Sequence, residues 1–463
     1  MALAILPFVY ASETNVKRNN EPSFVTTKNN QFFLDGKPFP FTAANAYWMH
    51  QLDDVDLENT FSSIGASGLK VITTLAYDDV VDEPPPFGAP YFQLFQGDTI
   101  TLNEAGLQRL DAVVNLAEHY ELKLMLTLTG NWFPSTKGVK NPKPHGFLSN
   151  SYGGADVYVQ QLSTSGFHDS FYTDPTIINA FKDYVKTIVT RYVNSTAIFS
   201  WQIMDDPQCA STLPASPSCT AQTLATWHDD IYNFIKSIDC NHLVGTGDTW
   251  FYNEAAPVYP TKRGVDGLDA RGSGETLIDL AKRGGASLRA SLARALNIAR
   301  ISTRAVPAMD WGGSQLVTQP GVGGMSYRRG DPTQQAIDSG TAFIGQQAAN
   351  AATWGIPIML TGFGAVSQSS VAFFTPRNSS TVVVPPPGSY IPTDQEQGQI
   401  YTAWLAETRN KGFGGAVLYQ WNQTCLAKVG ANPIIINENS PNDGYTASPE
   451  ALAAVELNAQ LQA

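Results

Sequence analysis

From residue 39 onward the chain alternates short apolar runs with stretches in which apolar residues return every three or four positions. The runs are 39–45 (FPFTAAN), 69–75 (LKVITTL), 122–128 (LKLMLTL), 197–204 (AIFSWQIM), 242–248 (HLVGTGD), 357–363 (PIMLTGF) and 414–421 (GGAVLYQW). Strands covered on both faces need this kind of near-continuous apolar run. Between them, Leu57, Phe61 and Ile64 share one helix face, as do Leu107, Leu110, Val113 and Val114. The same spacing returns in Ile177, Phe181, Tyr184, Ile188 and Tyr192, and in Leu224, Trp227, Ile231 and Phe234. A weaker run at 299–306 supplies an eighth strand. Eight strand and helix units predict an α/β protein, a (β/α)8 TIM barrel with enlarged loops at its C-terminal face. A doubly wound sheet would want a Gly-rich phosphate turn after its first strand, and AANAYW is not one.

Composition narrows the class. The chain has 463 residues, 43% hydrophobic and 11% aromatic, enough to bury a large core. A net charge of -12 opposes the electrostatic footprint of a nucleic-acid or anionic-membrane partner, so neutral partners are expected. The start, MALAILPFVYASE, has an apolar stretch of signal-peptide length ending in small residues, so 1–20 read as a leader and 21–463 as one domain of a secreted protein. Cys209, Cys219, Cys240 and Cys425 lack metal-site spacing; disulfides are the expected use, with Cys209 and Cys219 paired across their short loop. Cys240 precedes the fifth strand and Cys425 follows the eighth, toward opposite ends of a barrel, so they stay unpaired. Sequons at Asn194, Asn378 and Asn422 fit a secreted product. No metal or cofactor is expected, and a monomer is. Two stretches break the pattern: 261–310, without aromatic residues and rich in Lys and Arg, reads as an atypical insertion or drifted segment, and 365–393 reads as a Pro- and Ser-rich loop.

The ordered landmarks AANAYW, DVDLENTFSSIGASGLKV, LQRLDAVVNLAEHYELKL, HDSFYTDPTIINAFKDYVKTIVTRYVNSTAIFSW, IKSIDCNHLVGTGD and NDGYT resemble glycoside hydrolase family 5, and within it the secreted fungal endo-β-1,4-mannanases. The resemblance runs from about 32 to 253 and from about 352 to 446. It implies a barrel and two catalytic glutamates about 5 Å apart, one acid/base and one nucleophile. At those positions this chain departs from the family. The Asn-Glu-Pro motif after the fourth strand is matched by Asp205-Asp206-Pro207, and the Glu-Phe-Gly motif of the seventh strand by Gly362-Phe363-Gly364. The second-strand arginine and the tryptophan two residues on match Thr73 and Leu75; the sixth-strand His and Tyr fall near Arg304 and Val306; the eighth-strand tryptophan matches Tyr419.

A glutamate-to-aspartate change retracts the carboxyl by about one bond, and a misplacement of about 1 Å costs on the order of a hundredfold in rate. Glycine at the nucleophile position removes the covalent route altogether. Asp205 and Asp206, as neighbours on a strand, are expected to point to opposite faces, with Asp206 free to cap a following helix or accept loop N–H groups. Inverting chemistry would need a base such as Asp248, Glu254 or Asp310. Trp48, Trp132, Trp250, Trp311 and Trp421 follow strands and, with Asn131, Asp205 and Tyr419, are candidates for sugar contact. Trp132 and Trp48 are favoured as stacking platforms, and His168 is assigned to a helix start. Three readings follow: a family 5 homologue that binds β-mannan or a related cell-wall polysaccharide with retaining hydrolysis lost; an active hydrolase with a rearranged acid set using Asp206; and a secreted structural or signalling barrel without sugar binding.

Overall fold

The computed structural model describes residues 23–85, 88–139, 143–247, 309–310, 312–318, 331–427 and 438–463. Eight parallel strands form one sheet: β1 (Phe41–Asn45), β2 (Val71–Leu75), β3 (Lys123–Thr127), β4 (Ile198–Gln202), β5 (Leu243–Gly245), β6 (Gly312–Thr318), β7 (Ile358–Ala365) and β8 (Gly415–Leu418). They pair in the order β5-β4-β3-β2-β1-β8-β7-β6. The two ends meet at Asp310, whose N–H donates to Val244 O (2.8 Å) and whose carboxylate accepts the Val244 N–H (2.9 Å). That pair of bonds joins β5 to the chain entering β6, giving the (β/α)8 barrel that the alternation predicts.

The helices α1 (Asp54–Ala66), α2 (Glu104–His119), α3 (Pro175–Tyr192), α4 (Ala221–Ile238), α5 (Pro332–Trp354), α6 (Asp394–Asn410) and α7 (Pro449–Leu461) wrap the outside. Their starts are set locally. Asp53, Asp174, Asp331, Thr393 and Ser448 each accept an N–H of the first turn, which satisfies donors that a helix cannot pair internally. The predicted faces of α1, α2 and α3 are buried against the sheet; on α4 Leu224, Trp227 and Ile231 are buried and Phe234 packs partly covered against the core. Inside the barrel, Phe41, Val71, Met125, Phe199, Leu243, Met359 and Val417 form a floor, plugged from below by Phe32 of the N-terminal strand Gln31–Leu34. Phe199 lies 5.1 Å from both Phe32 and Phe41, ring to ring.

Two sequence expectations change here. The sixth strand among the described residues is 312–318, not 299–306, and the latter run lies outside the described residues. Its Gly- and Ser-bearing start hides it from an apolar count. Asp310 is not a candidate base: it closes the sheet, pairs with Lys236 (2.5 Å) and accepts the Tyr232 hydroxyl (3.1 Å). The disulfide Cys209–Cys219 is present, with Cα atoms 5.8 Å apart, and Cys240 and Cys425 are free and exposed. The leader segment, Arg304, Val306, Asp248, Glu254, Trp250, Trp311 and most of 261–310 lie outside the described residues. Among the described residues no helix is long and apolar enough to cross a membrane.

Candidate functional site

The C-terminal end of β4 builds the centre. Beyond Gln202 the chain keeps bonding to its neighbours, with Ile203 N–H on Gly245 O, Asp205 N–H on Thr129 O and Asn131 N–H on Asp205 O. At Asp206 φ is 56°, the left-handed region that aspartate tolerates better than most residues. Strand alternation therefore stops at the second acid of the pair, and both carboxylates turn toward Arg377. Arg377 Nη1 lies 3.3 Å from Asp206 Oδ2 and 3.7 Å from Asp205 Oδ2. The expectation that the two acids diverge is overturned, because it assumed extended backbone through residue 206. Neither contact has hydrogen-bond geometry at Nη1, so the link is ionic.

Asp206 is almost wholly buried, and its Oδ2 accepts from Trp132 Nε1 (2.6 Å) and Gln208 Nε2 (2.9 Å). Side chains, not a helix N-terminus, occupy it. Its Oδ1 is buried without a partner. Asp205 is the accessible acid, its side chain 32% exposed, with Gln315 Nε2 of β6 at 3.4 Å from Oδ1. Desolvation within the cleft raises its pKa above the usual carboxylate range, Arg377 opposing and Asp206 adding to the rise.

Arg377 comes from the loop after β7. Its Nε donates to the Tyr419 hydroxyl (3.1 Å) and its guanidinium carbon sits 5.3 Å from the centre of that ring. Burial works against its charge, but Asp205, Tyr419 and Asp206 more than offset this and hold it firmly protonated. Gly362, in the middle of β7, completes the circle. A Cβ there would lie 3.2 Å from Tyr419 Cδ2 and 3.5 Å from Gln315 Cγ. Asp205, Asp206, Gln315, Gly362 and Tyr419 thus belong to one network, in which the cation is Arg377.

Other candidates take structural roles. Asn131 is buried; its Oδ1 faces His168 Nε2 (2.8 Å) and accepts Gln208 N–H (3.1 Å), and its Nδ2 donates to Ala210 O (3.2 Å). His168 is buried between Asn131 and Asp156 (2.6 Å), so it orients the loop carrying Trp132 as well as preceding a short helix at Ser170–Thr173. Trp48 is 0% exposed and Trp421 6%, the latter donating to Gln423 (3.0 Å), so neither presents a ring face to a ligand. Both rings are buried in the structure, where a sugar-contact residue would need an open face. Tyr419 is likewise buried beneath Arg377. Thr73 is buried in the middle of β2 with no partner for its hydroxyl, and Leu75 is buried at the strand's end. Trp132 remains, half-buried, next to Asp206.

Arg377, Gln208 and Gln315 are absent from the sequence reading. One signal was available for the first: Arg377 is the only Lys or Arg between residues 331 and 400. Among the described residues no cluster of His, Cys, Asp and Glu could hold a metal.

A family model described as "GH family 5 beta-mannosidase-like" matches residues 22–257. The chain is 35% identical over 229 residues to mannan endo-1,4-beta-mannosidase A of Hypocrea jecorina, covering 49% of this chain and 46% of that protein. It is 35% identical over 234 residues to the enzyme of the same name from Aspergillus aculeatus, covering 50% and 55%. The chain spans about half the length of the curated relatives it matches. Among solved structures, the endo-1,4-beta-mannanase of Rhizomucor miehei superposes with a TM-score of 0.63 at 23% identity, covering 95% of this chain and 99% of that one. That of Thermotoga petrophila gives 0.58 at 20% identity, covering 92% and 78%. These likenesses establish the fold.

Proposed function

The chain belongs to the GH family 5 beta-mannosidase-like family, and from that premise we propose that it recognises β-1,4-mannan or a related β-linked cell-wall polysaccharide without cleaving it by retention. One observation carries this reading: the space beside Gly362, where retaining chemistry needs a carboxylate, is lined by Tyr419 and Gln315, and the Tyr419 hydroxyl is held by Arg377. Retention requires two carboxyl groups about 5 Å apart on opposite sides of the bond, one of them forming a covalent intermediate. Here the two acids sit together against one arginine. Asp206 Oδ2 is engaged by two N–H donors instead of facing a leaving-group oxygen.

Binding can outlast such losses, since aromatic contacts dominate affinity while a missing carboxylate mainly affects the transition state. Trp132, beside the acids, is the ring placed to stack on a sugar. The relatives are named for action on mannan, which supports that class of ligand and an extracellular setting. Reducing-sugar release from mannan and glucomannan by the purified protein tests the reading. Background-level release is expected; sustained turnover would establish the rearranged-acid hydrolase instead.

A further inference from the structure

Two loops that start on opposite sides of the barrel meet over its mouth. β3 and β7 are four strands apart in the ring of eight. The loop after β3 crosses above β2 and β1, where His145 reaches Asp78 (2.5 Å) and Phe147 O accepts the Tyr47 hydroxyl (3.3 Å). The loop after β7 crosses above β8. Asn150 Nδ2 ties them, donating to Arg377 O (2.6 Å) and Ser379 O (2.9 Å). Asp443 adds a second tie: its Oδ1 accepts Ser149 N–H (3.4 Å) and its carbonyl accepts Thr375 N–H (3.0 Å).

The mouth over β1, β2 and β8 is therefore roofed, and Tyr47 and Tyr419, which these loops touch, are buried. From that roof the Arg377 side chain runs to the end of β4, where Asp205 and Trp132 are the exposed edge of the site. A polymer lying across the ends of β1, β2 and β8 would have to pass through the Asn150–Arg377 tie. An end of a chain need not.

We propose that this site takes the end of a β-linked oligosaccharide and not an internal stretch of a polysaccharide, with Arg377 and Asp205 contacting the hydroxyls of the terminal sugar. The inference rests on the glycan-binding reading above. Chemistry supports the contact: guanidinium supplies donors and carboxylate supplies acceptors, the pair that adjacent sugar hydroxyls need. Asp206 Oδ1, buried without a partner beside them, is a further acceptor for such a hydroxyl.

Calorimetric titration of the full chain with mannobiose, mannohexaose and soluble linear mannan of known length tests this through stoichiometry. Chain-end binding gives one protein per sugar chain whatever its length, and an affinity per unit mass that falls as the polymer lengthens. Several proteins per polymer chain would overturn it while leaving glycan binding intact. No heat with any of the three would overturn the glycan-binding reading itself, and this inference with it. Arg377→Ala is expected to weaken mannohexaose binding at least about tenfold, a loss typical of one hydrogen bond to a charged group; unchanged affinity in a variant with an unaltered circular dichroism spectrum would remove Arg377 from the contact. Asn150→Ala, which cuts the tie, is expected to raise the number of proteins bound per mannan chain.

Discussion

Replacing Arg377 with alanine removes the cation that two cleft carboxylates share and leaves Asp206, almost wholly buried, without its ion-pair partner. Taking one member from a buried pair typically costs about 3–5 kcal/mol. Asp205 is a third exposed and keeps access to water, so the lower figure of about 3 kcal/mol applies. The lost bond to Tyr419 is contained within that figure's uncertainty of about 1 kcal/mol. An unfolding entropy of about 2.1 cal/mol/K per residue amounts to about 1 kcal/mol/K over 463 residues, so Tm should fall by about 3 °C at pH 7. The deficit should depend on pH in a definite direction. Asp205 already binds its proton more readily in the folded state than in the unfolded chain, restrained by Arg377. Without the arginine that preference grows, and the native state takes up protons as pH falls. The Tm gap between variant and parent should therefore narrow between pH 7 and pH 4.5. Differential scanning calorimetry at both pH values reads it. Equal melting at pH 7, or a gap that is constant or widens on acidification, would refute an ionic role for Arg377.

Other measurements probe separate parts of the account. Asp79 and Asp443 are raised by burial to about 7 and about 6, and Asp78 holds His145 above its usual value against the opposing effect of its burial. Each raised group contributes stability that is present below its unfolded pKa and lost as pH climbs through its folded one, so Tm should fall between pH 6.5 and pH 8 by about 2 °C, at about 1.4 kcal/mol per pH unit per proton; a rise over that interval would contradict the assignments. Cys209→Ala should lower Tm by about 3 °C under oxidising conditions, from about 3 kcal/mol of loop-closure entropy, and should have no effect on the reduced protein. Trp132→Ala should weaken oligosaccharide binding at least about fivefold, roughly 1 kcal/mol of aromatic contact. Trp132→Phe, which keeps a ring and loses the N–H to Asp206, should weaken it less.

The barrel could be read from the sequence because strand and helix each impose a period on apolar residues, and Val71–Leu75 or Ile177 to Tyr192 carry it cleanly. The sixth strand escaped because Gly312–Thr318 opens on the small and polar residues Gly312, Gly313 and Ser314. Asp206, Gly362 and Tyr419 could be singled out by resemblance; in the structure Gly362 adjoins Tyr419, which Arg377 links to Asp206. What surrounds them could not. The orientation of the aspartate pair follows from one left-handed residue, and Arg377 reaches them from a residue more than 170 positions away along a loop of no regular period. Trp48 and Trp421 illustrate the reverse error: a tryptophan after a strand is at the mouth, but whether it meets solvent is decided by other loops folding over it.

Isothermal titration of mannohexaose into the purified protein reads recognition and hydrolysis in the same trace, because binding gives heats that saturate while turnover gives heat that persists after saturation. A saturating isotherm at one site per chain that returns to a flat baseline is expected. A baseline displaced for as long as substrate remains, or no heat at millimolar sugar, would contradict it.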